Sequence, residues 1–131
     1  RVEIIRSREA FDKDRSAFRK RWARKESTLR RRIQRAREAL DSVDTPANLL
    51  ETAAKLCLAL GTDGLRGELT LVRSARALAA LNNDSTATLE HLKAIAPSVL
   101  RHRLRRDPLD ESSADIRVER VIAELFNDCD D

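Results

Sequence analysis

Glycine, proline and aromatic residues are scarce in this chain of 131 residues. It has three glycines, three prolines, three phenylalanines, one tryptophan and no tyrosine. So few turn-forming residues exclude the repeated hairpins of an antiparallel sheet. Four aromatic residues are also few for a protein that stacks the bases of single-stranded nucleic acid. Alanine, leucine, arginine and glutamate dominate instead, and because they favour helix the composition predicts an all-α protein.

Cysteine and long apolar runs are scarce as well. Cys57 and Cys129 lie far apart without a C-x-x-C pair, so neither a zinc knuckle nor a disulfide framework is indicated. His91 and His102 have no cysteine or carboxylate at ligand spacing, so we expect no metal site. The sequence has no signal peptide and no apolar run near the roughly 18 residues of a membrane span. We therefore expect an intracellular protein, and, since Arg1 falls within a segment that already resembles helix, a part of a longer one.

Charge is distributed unevenly along the chain. Residues 1–40 carry 15 lysines and arginines against 6 acidic residues, a net charge of +9, whereas residues 41–131 carry 11 against 16, a net charge of −5. A basic segment beside an acidic body is typical of proteins that bind nucleic acid or an acidic protein. A solvated helix face produces the same pattern, so the charge alone leaves these alternatives open.

The first third of the chain predicts a basic helical arm. Residues 1–11 have the pattern of a helix that ends at a polar break, in which Asp14 is a candidate N-cap. Apolar residues then recur at helical spacing from about Arg15 to Leu40 and form a single stripe. We assign residues 1–45 to this arm, which would link the rest of the chain to whatever precedes it.

The remaining residues, 46–131, predict a four-helix bundle. Thr45 is a candidate cap for the first of these helices, with Pro46 in its first turn. Thr88 is expected to begin the third helix. The predicted helices span residues 46–60, 65–81, 88–104 and 114–126. Short connections between them are typical of a bundle in which sequential helices pack together.

All three glycines fall at the start of the segment GTDGLRGELTLVRSAR, residues 61–76. The pattern G-x-x-G-x-x-G is neither the dinucleotide fingerprint nor a Walker A loop, which needs Lys-Ser/Thr directly after its last glycine. No strand ending in acidic residues supplies a Walker B carboxylate, so this chain alone is not expected to hydrolyse a nucleotide. Gly61 is a candidate C-cap of the preceding helix. Gly64 and Gly67 are expected to leave the approach to Arg66 uncrowded.

Arg66 and Arg73 are seven residues apart in the predicted helix. They therefore differ by only about 20° around its axis and point the same way. Small residues, Thr70, Ala77 and Ala80, are expected on that face. Free amides at a helix N-terminus favour an anion, and guanidinium groups suit phosphate oxygens. The residues by themselves leave open whether this face binds phosphate or consists of two solvated surface arginines.

Other polar segments carry weaker indications of function. The basic segment RHRLRRDPLD, residues 101–110, is suited to a phosphate or an acidic partner, but cations also favour a helix C-terminus without any ligand. Cys57 lies in an apolar run and is expected in the core rather than as a nucleophile. Neither Ser74 nor Asp63 has a histidine at a spacing that indicates a hydrolytic triad.

Residues 56–81, LCLALGTDGLRGELTLVRSARALAAL, followed by HRLRRDPLDE at residues 102–111, resemble the C-terminal helical domain of the magnesium chelatase ATPase (I) subunit family. The resemblance extends to the arm and covers essentially the whole chain. That family is AAA+, with an α/β core that carries the Walker motifs and the arginine finger, and a C-terminal helical lid. The resemblance implies that this chain is the lid without its core, which accounts for the missing Walker lysine.

The resemblance also implies a site and partners. The sensor-2 residue would be Arg66, with Arg73 as a second candidate, and no catalytic residue or metal ligand lies in this part. The full-length subunit would use ATP and Mg²⁺ to insert Mg²⁺ into protoporphyrin IX during chlorophyll or bacteriochlorophyll synthesis. Its partners would be its own core, neighbouring subunits in a ring, the D subunit and the porphyrin-binding H subunit. The bacterial cytoplasm or the plastid stroma would be its location, and the turn at residues 82–84 would have no function.

Two alternatives remain at this point. The chain resembles, more distantly, the lids of other AAA+ machines such as cobalt chelatase or chaperone-like ATPases. The basic arm and the two-arginine face leave a helical nucleic-acid-binding domain as the other alternative, which would bind DNA or RNA more weakly as salt rises.

Overall fold

The computed structural model describes residues 1–62, 64–104 and 114–127. In these ranges it contains six α-helices and one short 3₁₀ helix, and no β-strand. The helices are α1 (Val2–Lys13), α2 (Arg15–Ala39), the 3₁₀ helix (Leu40–Ser42), α3 (Ala47–Ala59), α4 (Arg66–Asn82), α5 (Leu89–Leu100) and α6 (Ala114–Asn127). The predicted all-α class is confirmed. The chain divides into two compact units, residues 1–35 and 36–131, and the arm boundary at residue 45 stays a prediction.

The first unit contains α1 and most of α2. Asp14 separates the two helices and caps the second, because its Oδ1 accepts a hydrogen bond from the Ala17 amide at 2.9 Å. Phe18 lies between Phe11 and Trp22, with ring centroids 5.5 and 5.9 Å apart. Four cations of the same unit lie over these three rings: Arg8, Arg15, Arg21 and Lys25. The basic residues of this unit thus cover its aromatic rings.

The second unit has a continuous apolar core. The 3₁₀ helix and α3–α6 surround it, with α4 packed against both α3 and α5, and α6 against α3 and α5. The largest fully buried side chains are those of Leu49, Leu56, Leu71, Leu92, Leu100, Val118 and Cys57. Ala75 and Ala79 of α4 are also buried, and such small residues let helices approach closely. The predicted bundle of four helices, α3–α6, is confirmed in the described residues.

The start of α3 and the end of α5 differ from the sequence prediction. Pro46 itself is the N-cap of α3, in an extended conformation, and no side chain caps the helix. Thr45 therefore lies outside the helix and the prediction that it caps α3 is wrong. Helix α5 ends at Leu100 rather than near residue 104, because the Arg103 amide donates to the Leu100 carbonyl at 2.8 Å and closes a turn.

The turn between α4 and α5 is fixed by several hydrogen bonds. Asn83 ends α4 in the left-handed conformation (φ 69°). Thr88 begins α5 as predicted, with a capping box in which His91 occupies the third helical position. Between them, Thr86 pairs with Asp44 in an isolated parallel β-bridge. The Asp44 amide donates to the Ser85 carbonyl at 2.9 Å, so the segment that precedes α3 is attached to this turn.

Candidate functional site

Helix α3 ends in a Schellman motif at the glycine segment. The Gly61 amide donates to the Leu58 carbonyl and the Thr62 amide to the Cys57 carbonyl, each at 3.0 Å. Gly61 has φ +64° and Gly64 has φ +66°, so both occupy the left-handed region that side chains other than glycine rarely adopt. The prediction that Gly61 terminates α3 is confirmed. The left-handed conformations of these two glycines form the turn between the end of α3 and Arg66, the first residue of α4.

Gly67 has a different role from the one expected. It is buried, and a Cβ at this position would lie 3.1 Å from Thr62 Oγ1 and 3.6 Å from Cys57 Sγ. Its missing side chain therefore lets the loop and α3 approach α4. The expectation that Gly67 keeps the approach to Arg66 open is wrong, because its Cα faces the core. Gly64 has nothing within 4 Å of its Cβ position, so space around it is open.

Arg66 and Arg73 both lie exposed on α4, as the spacing predicts. Thr70 is half-buried between them, and its hydroxyl donates to the Arg66 carbonyl at 2.7 Å. Neither arginine makes an ion pair with a residue of the described ranges. No described side chain caps α4 at Leu65, so the amides of its first turn lie beside Arg66 without a side-chain partner. The start of α4 thus combines amides that no described side chain caps with an exposed guanidinium group.

One residue expected beside these arginines lies elsewhere. Ala80 is only 2% exposed and belongs to the core of the second unit. Two leucines that flank Arg66 at the start of α4, Leu65 and Leu69, are instead exposed. The N-terminal end of α4 therefore presents apolar and cationic surface together.

Cys57 is buried next to Gly67, which confirms that it belongs to the core. Burial raises the pKa of its thiol, the Glu68 carboxylate raises it further, and a hydrogen bond with Thr62 opposes these effects. The thiol is therefore protonated near neutral pH, and a protonated thiol is a poor nucleophile.

Arg76 makes a contact that the sequence analysis missed. Its Nη2 donates to the Leu40 carbonyl at 3.0 Å, just beyond the end of α2. Its Nε is buried without a hydrogen-bond partner in the described ranges. The two residues are 36 positions apart, and no local spacing could have indicated the pair.

His91 is a second residue whose role the sequence did not reveal. Its Nδ1 accepts a hydrogen bond from the Thr88 amide at 3.1 Å, so its Nε2 carries the proton and donates to Asp84 Oδ2 at 3.0 Å. Asp84 belongs to the turn at residues 82–84, to which we assigned no function, and this contact holds the turn to α5. His102 accepts a hydrogen bond from Arg101 Nε at 3.1 Å.

The described ranges contain no group of three or more histidine, cysteine and acidic residues placed to hold a metal ion. None of the helices described is both long enough and apolar enough to cross a bilayer. Several residues named in the sequence predictions lie outside the described residues: Asp63, Cys129 and residues 105–111.

Comparison with known proteins places α4 in a recognised domain. The model of the AAA lid domain family matches residues 50–124, more than half of the chain. The magnesium-chelatase 38 kDa subunit of Acidiphilium rubrum is 56% identical over 97% of this chain and 37% of its own length. The subunit of the same name from Rhodobacter capsulatus is 52% identical over 96% of the chain and 36% of its own length. A chloroplastic magnesium-chelatase subunit ChlI of Oryza sativa subsp. indica is 38% identical over 96% and 30%, respectively.

The chain thus spans about a third of the length of the curated relatives it matches. The resemblance that residues 56–81 and 102–111 carry is confirmed by these matches. The family match is consistent with the helical fold and with the glycine segment that precedes α4. This chain therefore belongs to the AAA lid domain family.

Proposed function

We propose that this chain is the lid of the AAA+ ATPase subunit of a magnesium chelatase, and that Arg66 contacts a phosphate of ATP bound at the ATPase core. The observation that carries the proposal is the start of α4. There an exposed arginine without an ion-pair partner in the described ranges adjoins amides that no described side chain caps. Both features favour a phosphate, because amides at a helix N-terminus and a guanidinium group donate to the same oxygens.

Arg66 rather than Arg73 is assigned to this contact because of the distance between them. A rise of about 1.5 Å per residue places Arg73 about 10 Å further along α4. Only Arg66 can therefore share one phosphate with the first-turn amides. Arg73 lies on the same exposed side of α4. It is the candidate for a second contact, either with another part of the nucleotide or with the ATPase core.

The contact would couple nucleotide state to lid position. A hydrogen bond between a charged donor and phosphate contributes about 1.5–3 kcal/mol. If Arg66 makes it with ATP and not with ADP, the lid position is biased by about this amount, since a ligand shifts an equilibrium by its differential affinity for the two states. A domain without Walker motifs can in this way take part in the ATPase cycle.

The activity belongs to the whole subunit. The absent core would bind ATP and Mg²⁺, and hydrolysis in an oligomeric ring, together with the D subunit, would drive the H subunit that binds protoporphyrin IX. The relatives named magnesium-chelatase subunits support this assignment. They come from bacteria and from chloroplasts, which supports the bacterial cytoplasm or the plastid stroma as the location.

The test uses Arg66→Ala and Arg66→Lys in the full-length subunit that contains this domain. We expect Arg66→Ala to weaken binding of a non-hydrolysable ATP analogue by about 10–150-fold, which is what 1.5–3 kcal/mol implies, and to impair ATP hydrolysis and Mg²⁺ insertion. Arg66→Lys keeps the charge but not the planar fork, so it should recover part of the loss. Lys55→Ala, at an exposed position of α3, is the matched control.

The melting temperature of the second unit should be the same in all three variants, because Arg66 and Lys55 are exposed. Normal ATP hydrolysis and normal Mg²⁺ insertion by Arg66→Ala would refute the assignment. The lid of another AAA+ machine is distinguished by the core sequence that accompanies the domain. A nucleic-acid-binding function predicts a gel shift at low salt that disappears as salt rises.

A further inference from the structure

We propose that Arg76 is a positioning residue that couples α4 to the segment where α2 ends, residues 36–43. When Arg66 meets or leaves a phosphate, Arg76 passes the resulting shift of α4 to this segment. The inference rests on the proposed function of Arg66. It says to which part of the domain a movement of α4 is passed, and neither the lid assignment nor the role of Arg66 specifies this.

Helix α4 joins the two arginines directly. Arg66 and Arg76 are ten residues apart on one uninterrupted helix, a distance of about 15 Å along its axis. A helix of this length moves as a rigid element. A displacement at its N-terminal end must therefore appear at Arg76, unless the helix bends, and α4 contains no proline and no glycine beyond Gly67.

Arg76 attaches α4 to the residue that follows the end of α2. Arg76 Nη2 donates to the Leu40 carbonyl at 3.0 Å, and Leu40, Ala36 and Val43 all pack in the same core as α4. The Leu40 carbonyl, which also accepts a hydrogen bond from the Val43 amide at 3.4 Å, lies one residue beyond the end of α2, where the helix dipole is negative. A guanidinium group at this position therefore also interacts favourably with the helix dipole.

Breaking this contact is costly. Arg76 is half-buried, and its Nε is already buried without a partner in the described ranges. If α4 moved while Leu40 stayed in place, Nη2 would lose its acceptor too, and a buried charged donor without a partner is costly. Movement of residues 36–43 together with α4 is the less costly response.

The experiment measures hydrogen exchange in the full-length subunit, with and without a non-hydrolysable ATP analogue, in peptides that cover residues 36–43. In Arg76→Gln we expect the amides of this segment to exchange about tenfold faster without nucleotide, the equivalent of one lost hydrogen bond. The analogue should no longer change their exchange rate. Its affinity should fall much less than in Arg66→Ala, because Arg76 lies about 15 Å from Arg66 along α4 and only the coupling, not the phosphate contact itself, is removed.

Two further variants separate coupling from local stability. Ser42→Ala removes a side-chain hydrogen bond at this helix end, from Ser42 Oγ to the Ala39 carbonyl at 2.7 Å, without touching α4. It should speed local exchange but preserve the response to the analogue. Arg76→Lys keeps a charged donor and should retain part of the response, and it decides the question if Arg76→Gln does not fold.

The outcomes are distinguishable. A response to the analogue that persists in Arg76→Gln, or that is equally lost in Ser42→Ala, overturns the inference. Loss of the response in Arg66→Ala but not in Arg76→Gln overturns the coupling and leaves the proposed function intact. Loss in Arg76→Gln but not in Arg66→Ala overturns the role of Arg66 and supports the coupling. Loss in neither overturns both.

Discussion

The left-handed conformation of Gly61 leads to a quantitative prediction. Gly61 ends α3 with φ +64°, and a Cβ added there meets nothing within 4 Å. Gly61→Ala therefore introduces no clash, and its whole cost is the backbone strain of an L-residue in this region. We expect about 1 kcal/mol of destabilisation, which lowers the melting temperature of a unit of this size by about 4–8 °C.

The matched variant is Gly61→Asn. Asn83 already occupies the left-handed position at the end of α4, with φ 69° and the same pair of hydrogen bonds to the preceding turn. Asparagine tolerates this conformation better than alanine, so Gly61→Asn should cost less than Gly61→Ala. Denaturant titration followed by circular dichroism gives both values, with the slope against denaturant unchanged if only stability changes.

Two results would contradict this prediction: Gly61→Ala is as stable as the parent chain, or Gly61→Asn loses as much stability as Gly61→Ala. The first result would mean that the loop relaxes into another conformation without loss. The second would mean that the loss has a cause other than φ. Because the loop delivers the chain to Arg66, a relaxed loop should also change nucleotide affinity in the full-length subunit.

Two further predictions concern the core. Leu56→Ala should lower the free energy of unfolding by about 2–5 kcal/mol, because Leu56 is fully buried. Leu58→Ala on the same helix should lower it by less than about 0.5 kcal/mol, because Leu58 is 83% exposed. Chemical denaturation of both variants measures the two losses, and equal losses would contradict the prediction. Burial raises the pKa of the Cys57 thiol, so the folded state favours the protonated thiol. The stability that this preference contributes is fully present at neutral pH and is lost as the pH rises through the raised pKa. The free energy of unfolding should accordingly fall at alkaline pH, and Cys57→Ala should make this fall smaller; an unchanged slope would refute it.

Helix periodicity predicted most of the fold. The stripe from Arg15 to Leu40 matches α2 and the 3₁₀ helix that follows it, and the α4 and α6 boundaries differ from the prediction by one residue. Gly61 was identifiable because a helix that ends in a left-handed residue favours glycine. These features depend on residues close together along the chain, so the sequence alone is enough to predict them.

The errors occurred where distant segments decide the outcome. The angle of Ala80 around the helix predicts a position beside the arginines, but packing of α4 in the bundle buries it in the core. Gly67 was assigned to the open side, whereas its Cα faces Thr62 and Cys57. The bonds of Arg76 to Leu40 and of His91 to Asp84 join residues whose separate sequence contexts give no sign of pairing.

The candidate site was predicted in part for the same reason. The seven-residue spacing places Arg66 and Arg73 on the exposed side of one helix, and that needs only helix geometry. The role of either residue toward a nucleotide depends on a core that this chain does not contain, and it stays a prediction.

The bridge between Asp44 and Thr86 bears on how such a domain can diverge in evolution. Both of its hydrogen bonds, Asp44 amide to Ser85 carbonyl and Ala87 amide to Asp44 carbonyl, join main-chain atoms. The side chains of Asp44 and Ser85 are exposed and take no part in it. Related sequences can therefore replace these residues freely, provided that small apolar residues remain at the buried positions Val43 and Ala87. A family can thus keep this attachment without conserving either exposed residue whose main-chain atoms form it.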